Sequence, residues 1–255
     1  MNAGRAIADD ASVRAVLLRP TSPIFCAGAD LHDWADVTPK EAQRLSALGS
    51  RAFQALADAP VPVVAVLEEA ALGGGLELAL ACDLCIATRN ASIGFPEPRL
   101  GNSPAWGGMS RLVDSVGPAT ARDMLLTGDV VSAEAAHRMG AITGLCEPAE
   151  LADQLGLLVD SILACDTGTP GYIKMLSALP DSRSKRRRPL LPVLPRRVQS
   201  RRSGKSSFLR VGARRGELLS RVKGESLFKV THPHDDVVRI AQRVIAAVEC
   251  IADFA

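Results

Sequence analysis

The sequence predicts an α/β fold, because short apolar strand-like segments alternate with helix-like segments along its first two thirds. Residues 61–67 form an apolar run with prolines nearby, which is typical of a short strand. Between residues 42 and 56, apolar side chains recur at helical spacing. The 255 residues are 47% hydrophobic but only 4% aromatic, so we expect a core made mostly of Ala, Val and Leu.

The first elements follow in order from local signals. Residues 13–18 predict a strand that leads into a proline-marked loop at 19–23. Thr38 is a cap residue, Pro39 stands at the first helical position and Glu41 at the third, and this combination predicts the start of a helix.

The same alternation continues beyond the strand at 61–67. The glycines at 73–75 end the next loop. The further predicted elements are a helix at 76–81, a strand at 84–87, a helix that begins at 107–108, a helix capped by Ser132 and ended by Gly140, a strand at 142–146 and a helix at 151–163. The sequence contains no internal repeat and no GxxxxGK[ST] phosphate-binding motif.

The composition divides the chain into three parts. Residues 1–180 hold the predicted α/β core. Residues 181–216 are rich in Arg, Pro and Ser, and the stretch 183–215 has 13 Lys or Arg and no Asp or Glu, which predicts a segment without packed structure. Residues 217–255 regain apolar positions at helical spacing and predict a helical tail.

The sequence favours a cytoplasmic protein that does not span a membrane. It has no apolar run of 18 residues, and residues 1–5 lack the basic-then-apolar layout of a signal peptide. We therefore expect its six cysteines to be reduced thiols. Cys82 and Cys85 form a CxxC, but no second pair completes a zinc site, so we interpret them as structural thiols.

Three separated motifs carry residues that suit one kind of chemistry. They are Phe-Cys-Ala-Gly-Ala-Asp-Leu at 25–31, the glycines 73–75 followed by Glu77, and Phe-Pro-Glu ending at Glu97. Glycine lets a backbone N–H approach a ligand closely, and two such donors can stabilise an oxyanion. Two carboxyl groups can divide acid and base roles if their environments separate their pKa values.

These motifs resemble the crotonase family, the enoyl-CoA hydratases and isomerases, as do Leu-Thr-Gly-Asp at 126–129 and Ala-Glu-Ala-Ala-His-Arg-Met-Gly at 133–140. The resemblance implies a crotonase-like spiral of ββα units with a helical C-terminal part. It also implies hydration of a trans-2-enoyl-CoA thioester in fatty-acid-type metabolism. Coenzyme A is then part of the substrate, so no separate cofactor is expected, and the expected assembly is a homotrimer or a dimer of trimers.

The resemblance implies roles for individual residues as well. Glu97 is the expected proton donor to the α-carbon, and Glu77 is expected to hold and deprotonate the water. The backbone N–H groups of Ala29 and Gly74 are the expected oxyanion donors, in contact with the substrate. In such a pair one carboxyl group must be protonated and the other ionised at neutral pH, and two nearby carboxyl groups favour that division.

The resemblance places coenzyme A along the first motif. Ala27, Asp30, Leu31 and His32 are expected to flank its nucleotide end, largely through backbone atoms. His32 stands where relatives often have a lysine near a phosphate, and this change could weaken a charge contact.

Other interpretations stay open. The first is double-bond isomerisation, which needs one carboxyl group to shuttle a proton. The second is an inactive remnant, because the usual first strands and final helices of the family have no counterpart, and Glu68 and Glu69 replace a small or Asn-Gly pair. Nucleic-acid binding by 183–215 is not favoured, since Phe208 is the only aromatic residue there.

Overall fold

The computed structural model describes residues 12–20, 22, 24–30 and 37–178. The predicted basic segment 181–216 and the predicted tail 217–255 lie outside these residues. Within the described part of the chain, no helix is long and apolar enough to cross a membrane.

Strands and helices alternate along these residues, as the sequence predicts. The strands are β1 (Val16–Leu18), β2 (Val63–Leu67), β3 (Ala70–Leu72), β4 (Leu84–Thr88), β5 (Ser92–Gly94), β6 (Val130–Ser132) and β7 (Gly144–Cys146). The α-helices are α1 (Pro39–Ala57), α2 (Gly74–Leu80), α3 (Gly108–Val116), α4 (Pro118–Thr127), α5 (Ala133–Met139), α6 (Leu151–Ala164) and α7 (Thr169–Ser177).

The main sheet is parallel and has the spatial order β1-β2-β4-β7. All four of its strands are confirmed predictions, with ends that shift by three residues or fewer. The five residues of β2 are buried along their whole length, as expected for a parallel strand covered on both faces.

A second, smaller sheet positions the glycine motif. In it β3 pairs with β5 in parallel, and β5 pairs with β6 in antiparallel orientation. An isolated bridge joins Cys26 to Ala71 in β3, so the first motif runs beside the strand that leads into the glycines. The helix α2 begins at Gly74, directly after this strand.

Local signals set several helix ends. The predicted cap of α1 is confirmed: the Thr38 hydroxyl accepts from the Glu41 N–H, and the Glu41 carboxylate accepts from the Thr38 N–H. Two helices, α4 and α7, were not predicted from the sequence. For α4 the signal was present, because Pro118 is its first residue and Gly128, in the left-handed conformation, follows its last.

Candidate active site

The three motifs meet at one cavity of about 370 Å³. Its walls come from residues 27–29, from the glycine motif between 72 and 77, and from the segment 96–106. The cavity therefore brings together Glu77, Glu97, Ala29 and Gly74, which the sequence assigns to one site from positions far apart in the chain.

The backbone holds the two predicted oxyanion donors next to each other. The Leu72 N–H donates to the Cys26 carbonyl at 2.9 Å, which fixes the first motif against β3. Gly28 has φ of +99°, and a Cβ on it would lie 3.2 Å from the Gly74 nitrogen, so only glycine permits this approach. Among the described residues, the N–H groups of Ala29 and Gly74 have no acceptor and remain available for a ligand.

Glu77 lies in the first turn of α2 and is 2% exposed, which confirms the burial that its apolar neighbours predict. Its Oε1 accepts hydrogen bonds from the Trp106 N–H at 2.7 Å and the Gly108 N–H at 2.8 Å. Burial raises the pKa of Glu77, whereas these N–H groups and the Arg111 guanidinium oppose the increase. The carboxyl group is thus buried but surrounded by groups that favour its ionised form.

Glu97 lies between Pro96 and Pro98 and begins a 3₁₀ turn, Glu97–Leu100. A Cβ on Gly73 would lie 2.9 Å from Glu97 Oε1, so this carboxyl group packs directly against the glycine motif. Its Oε2 is buried and has no hydrogen-bond partner in the described part of the chain. Burial raises the pKa of Glu97, and the charge of Glu77 raises it further against one backbone hydrogen bond.

The two carboxyl groups therefore have different preferences for the proton. The Glu77 carboxylate is stabilised by two N–H donors on one oxygen and by Arg111. Glu97 has a buried oxygen without a partner and a negative neighbour. When one proton is shared between them, this asymmetry favours a protonated Glu97 and an ionised Glu77.

Sequence reasoning missed Trp106 and Arg111, which complete the surroundings of Glu77. Arg111 donates to the Trp106 carbonyl at 3.1 Å and to Gln54 Oε1 at 3.0 Å. It thereby holds the backbone of Trp106, the residue whose N–H reaches Glu77. The only sequence signal was the position of Trp106 before the glycines at 107 and 108, in a chain with few aromatic residues.

The predicted coenzyme A segment is described only in part. Ala27 and Ala29 line the cavity, whereas Asp30 is exposed and does not line it. Leu31 and His32 lie outside the described residues, so their predicted roles stay predictions.

Two glutamates and two cysteines that the sequence analysis discusses, Glu68, Glu69, Cys82 and Cys85, do not line the cavity. Glu68 pairs with Arg19 at 2.8 Å and Glu69 is exposed, so both charges reach water. Cys82 and Cys85 are free thiols, and burial raises the pKa of Cys82 to about 12. No group of His, Cys, Asp or Glu within the described ranges could hold a metal ion.

Comparison with known proteins identifies the family. The family model described as enoyl-CoA hydratase/isomerase matches residues 2–169. The chain belongs to this family. It is 37% identical over 160 residues to a crotonyl-CoA hydratase from Syntrophomonas wolfei, and this match covers 62% of each protein. It is 35% identical over 159 residues to a short-chain-enoyl-CoA hydratase from Clostridium acetobutylicum, covering 62% of this chain and 61% of that protein.

Solved structures confirm the crotonase-like fold. The structure of an enoyl-CoA hydratase from Bacillus anthracis matches with a TM-score of 0.66 and 30% sequence identity, covering 69% of both chains. The chain spans about three fifths of the length of the curated relatives it matches. The family and fold are thus established for this chain, with the three motifs inside the matched region.

Proposed function

We propose that this protein hydrates a trans-2-enoyl-CoA thioester, adding water across its double bond. The observation that carries the proposal is the pair of unlike carboxyl groups, Glu77 and Glu97, on a cavity that also contains two backbone N–H groups without an acceptor among the described residues. The names of the relatives from Syntrophomonas and Clostridium agree with this reaction.

The proposed reaction uses these groups in one sequence. The Glu77 carboxylate accepts a proton from water as the water oxygen bonds to the β-carbon. The electron pair of the double bond moves toward the thioester carbonyl, whose oxygen becomes negative. The N–H groups of Ala29 and Gly74 stabilise that charge, and one such donor contributes about 3–4 kcal/mol in a well-studied enzyme.

Protonation of the α-carbon completes the addition. The protonated Glu97 gives its proton to the α-carbon, so that hydroxyl and hydrogen have been added across the former double bond. Glu77 is then protonated and Glu97 ionised, and transfer of one proton from Glu77 to Glu97, directly or through water, restores the starting state. This sequence needs no cofactor besides the coenzyme A of the substrate.

The wider setting of the reaction is also proposed from the family relationship. Coenzyme A would run along the first motif, and the active protein would be a homotrimer or a dimer of trimers. A cytoplasmic location and a role in fatty-acid-type metabolism remain part of this proposal.

Hydration and isomerisation can be separated with one purified sample of the full chain. Incubation with trans-2-butenoyl-CoA in ¹⁸O-labelled water should abolish the absorbance of the conjugated thioester and place the label on the β-carbon. Incubation with a 3-enoyl-CoA tests isomerisation, which moves the double bond without taking up label. If only the 3-enoyl substrate gives a product, isomerisation becomes the better assignment of function. If neither substrate gives a product, the inactive interpretation is supported.

A further inference from the structure

The indole of Trp106 fills a slot between α1 and α2. A Cβ on Gly49, in α1, would lie 2.4 Å from both Cδ1 and Nε1 of the indole. A Cβ on Gly74, at the start of α2, would lie 2.2 Å from its Cζ3. Because these distances are far below van der Waals contact, the indole fits only between two residues that lack side chains.

The slot is continuous with the candidate active site. Trp106 belongs to the wall of the cavity, although only 7% of its surface is exposed. Phe53, in α1, packs edge-on against the indole, with ring centroids 5.4 Å apart. The indole thus contacts both the cavity and α1.

The backbone of Trp106 cannot withdraw without disturbing the site. Its N–H donates to Glu77 and its carbonyl accepts from Arg111. The side chain is therefore held at a fixed distance from the carboxyl group that activates water in the proposed reaction. A longer acyl chain could enter the slot only if the indole left it.

We propose that Trp106 closes the acyl end of the cavity and restricts the protein to short-chain enoyl thioesters. This inference rests on the proposed hydration, because it assumes that an acyl chain occupies the cavity. Each methylene group that a pocket buries improves binding roughly fourfold. Because the indole fills the slot, the extra methylene groups of a longer acyl chain cannot be buried there and add no affinity. Rejection by shape can be larger still, about 10–200-fold for one methylene group.

The shape of the indole, rather than its N–H, carries this role. Nε1 is buried without a partner among the described residues, and it lies against Gly49 on the α1 side. The six-membered ring, through Cζ3, lies against Gly74, whose N–H is the proposed oxyanion donor. Phenylalanine at position 106 would keep an aromatic ring in the part of the slot near Gly49 but lose the N–H and the outer six-membered-ring atoms that lie against Gly74.

The test compares the full chain with W106A and W106F on trans-2-enoyl-CoA substrates of four and eight acyl carbons. We expect wild type to prefer the four-carbon substrate. W106A should raise the eight-to-four ratio of kcat/KM by at least about tenfold, whereas W106F, which empties only the outer part of the slot, should raise that ratio by less. A folded W106A with an unchanged ratio would overturn the inference, and so would an equal change in W106F.

A second variant and a binding measurement keep the inference testable if W106A does not fold. In G49A the new methyl group should push the indole toward the cavity and weaken binding of even the four-carbon substrate, so unchanged binding would count against the inference. Calorimetric affinities for butyryl-CoA and octanoyl-CoA report selectivity without catalysis. A shifted affinity ratio in W106A without hydration by wild type would sustain the role of Trp106 and refute the proposed function. If wild type hydrates the substrate but the affinity ratio is unchanged in W106A, the proposed function stands and the role of Trp106 is refuted.

Discussion

Replacing Glu77 by Gln tests the proposed base with little change of shape. The amide oxygen can still accept from Trp106 and Gly108, whose N–H groups lie 2.7 and 2.8 Å from Oε1 in wild type. The amide nitrogen that replaces Oε2 cannot take a proton from water. Loss of a general base lowers turnover by about 10²–10⁴. That loss corresponds to about 3–5 kcal/mol of transition-state stabilisation.

The same substitution also changes the other carboxyl group. The negative charge of Glu77 is one of the causes that raise the pKa of Glu97. In E77Q this charge is absent, so the pKa of Glu97 should fall toward its ordinary value while burial continues to raise it. Carbon-13 NMR titration of the glutamate carboxyl groups would measure the shift, and E97Q would identify the signal of Glu97.

Two assays separate the chemical role from folding and binding. Turnover is followed by loss of the enoyl thioester absorbance, and affinity is measured by calorimetry with butyryl-CoA, a saturated analogue. We expect E77Q and E97Q to lose turnover while their dissociation constants stay within about threefold of wild type, because each substitution keeps the shape of the cavity wall. Full turnover in a folded E77Q would refute the assignment of the base, and full turnover in E97Q would refute that of the proton donor.

Three further predictions use other contacts of the fold. In G108A a Cβ would lie 2.4 Å from Cγ of Glu77, so turnover should fall at least about tenfold while circular dichroism stays unchanged. Because burial raises the pKa of Glu77, the folded chain binds its proton more tightly than the unfolded chain; E77Q should therefore raise the Tm at about pH 8 and not at about pH 4. K174M breaks a partly shielded 2.7 Å pair with Asp83 and the Lys174 hydrogen bonds to two carbonyls, and should cost about 1.5–3 kcal/mol in urea unfolding, against less than about 1 kcal/mol for R99M at an exposed pair.

The elements that the sequence predicts are those whose signals are local. The strand β2 is a continuous apolar run because both of its faces are buried, and α1 carries its own cap in Thr38 and Glu41. The strands β3, β5 and β6 have three residues each and are not part of a longer apolar run, and they were not predicted separately.

Only those residues of the candidate site that belong to recognisable sequence motifs were predictable. The glycines before Glu77 and the second glutamate at 97 indicated two donors and two carboxyl groups, and the structure places them on one cavity. The ligands of Glu77 were not predictable, because the N–H groups of Trp106 and Gly108 look like any other backbone groups in a sequence. The fit of an indole between two glycines from different helices is likewise a tertiary contact without a sequence signal.

The cavity concentrates groups that weaken the fold and suit a reaction. A buried carboxyl group at Glu77, an unpaired oxygen of Glu97 and an unpaired Nε1 of Trp106 lie along one wall among the described residues. An unpaired buried polar atom costs about 1–3 kcal/mol, so a core selected only for stability would pair or remove it. The proposed proton transfer accounts for the first two: Glu77 accepts a proton from water, and Glu97, whose oxygen has no competing partner, keeps its proton until the substrate arrives. The third has a steric explanation: the slot between α1 and α2 fits a flat ring of this size, and in the proposed selection of short acyl chains that ring, rather than its N–H, closes the cavity.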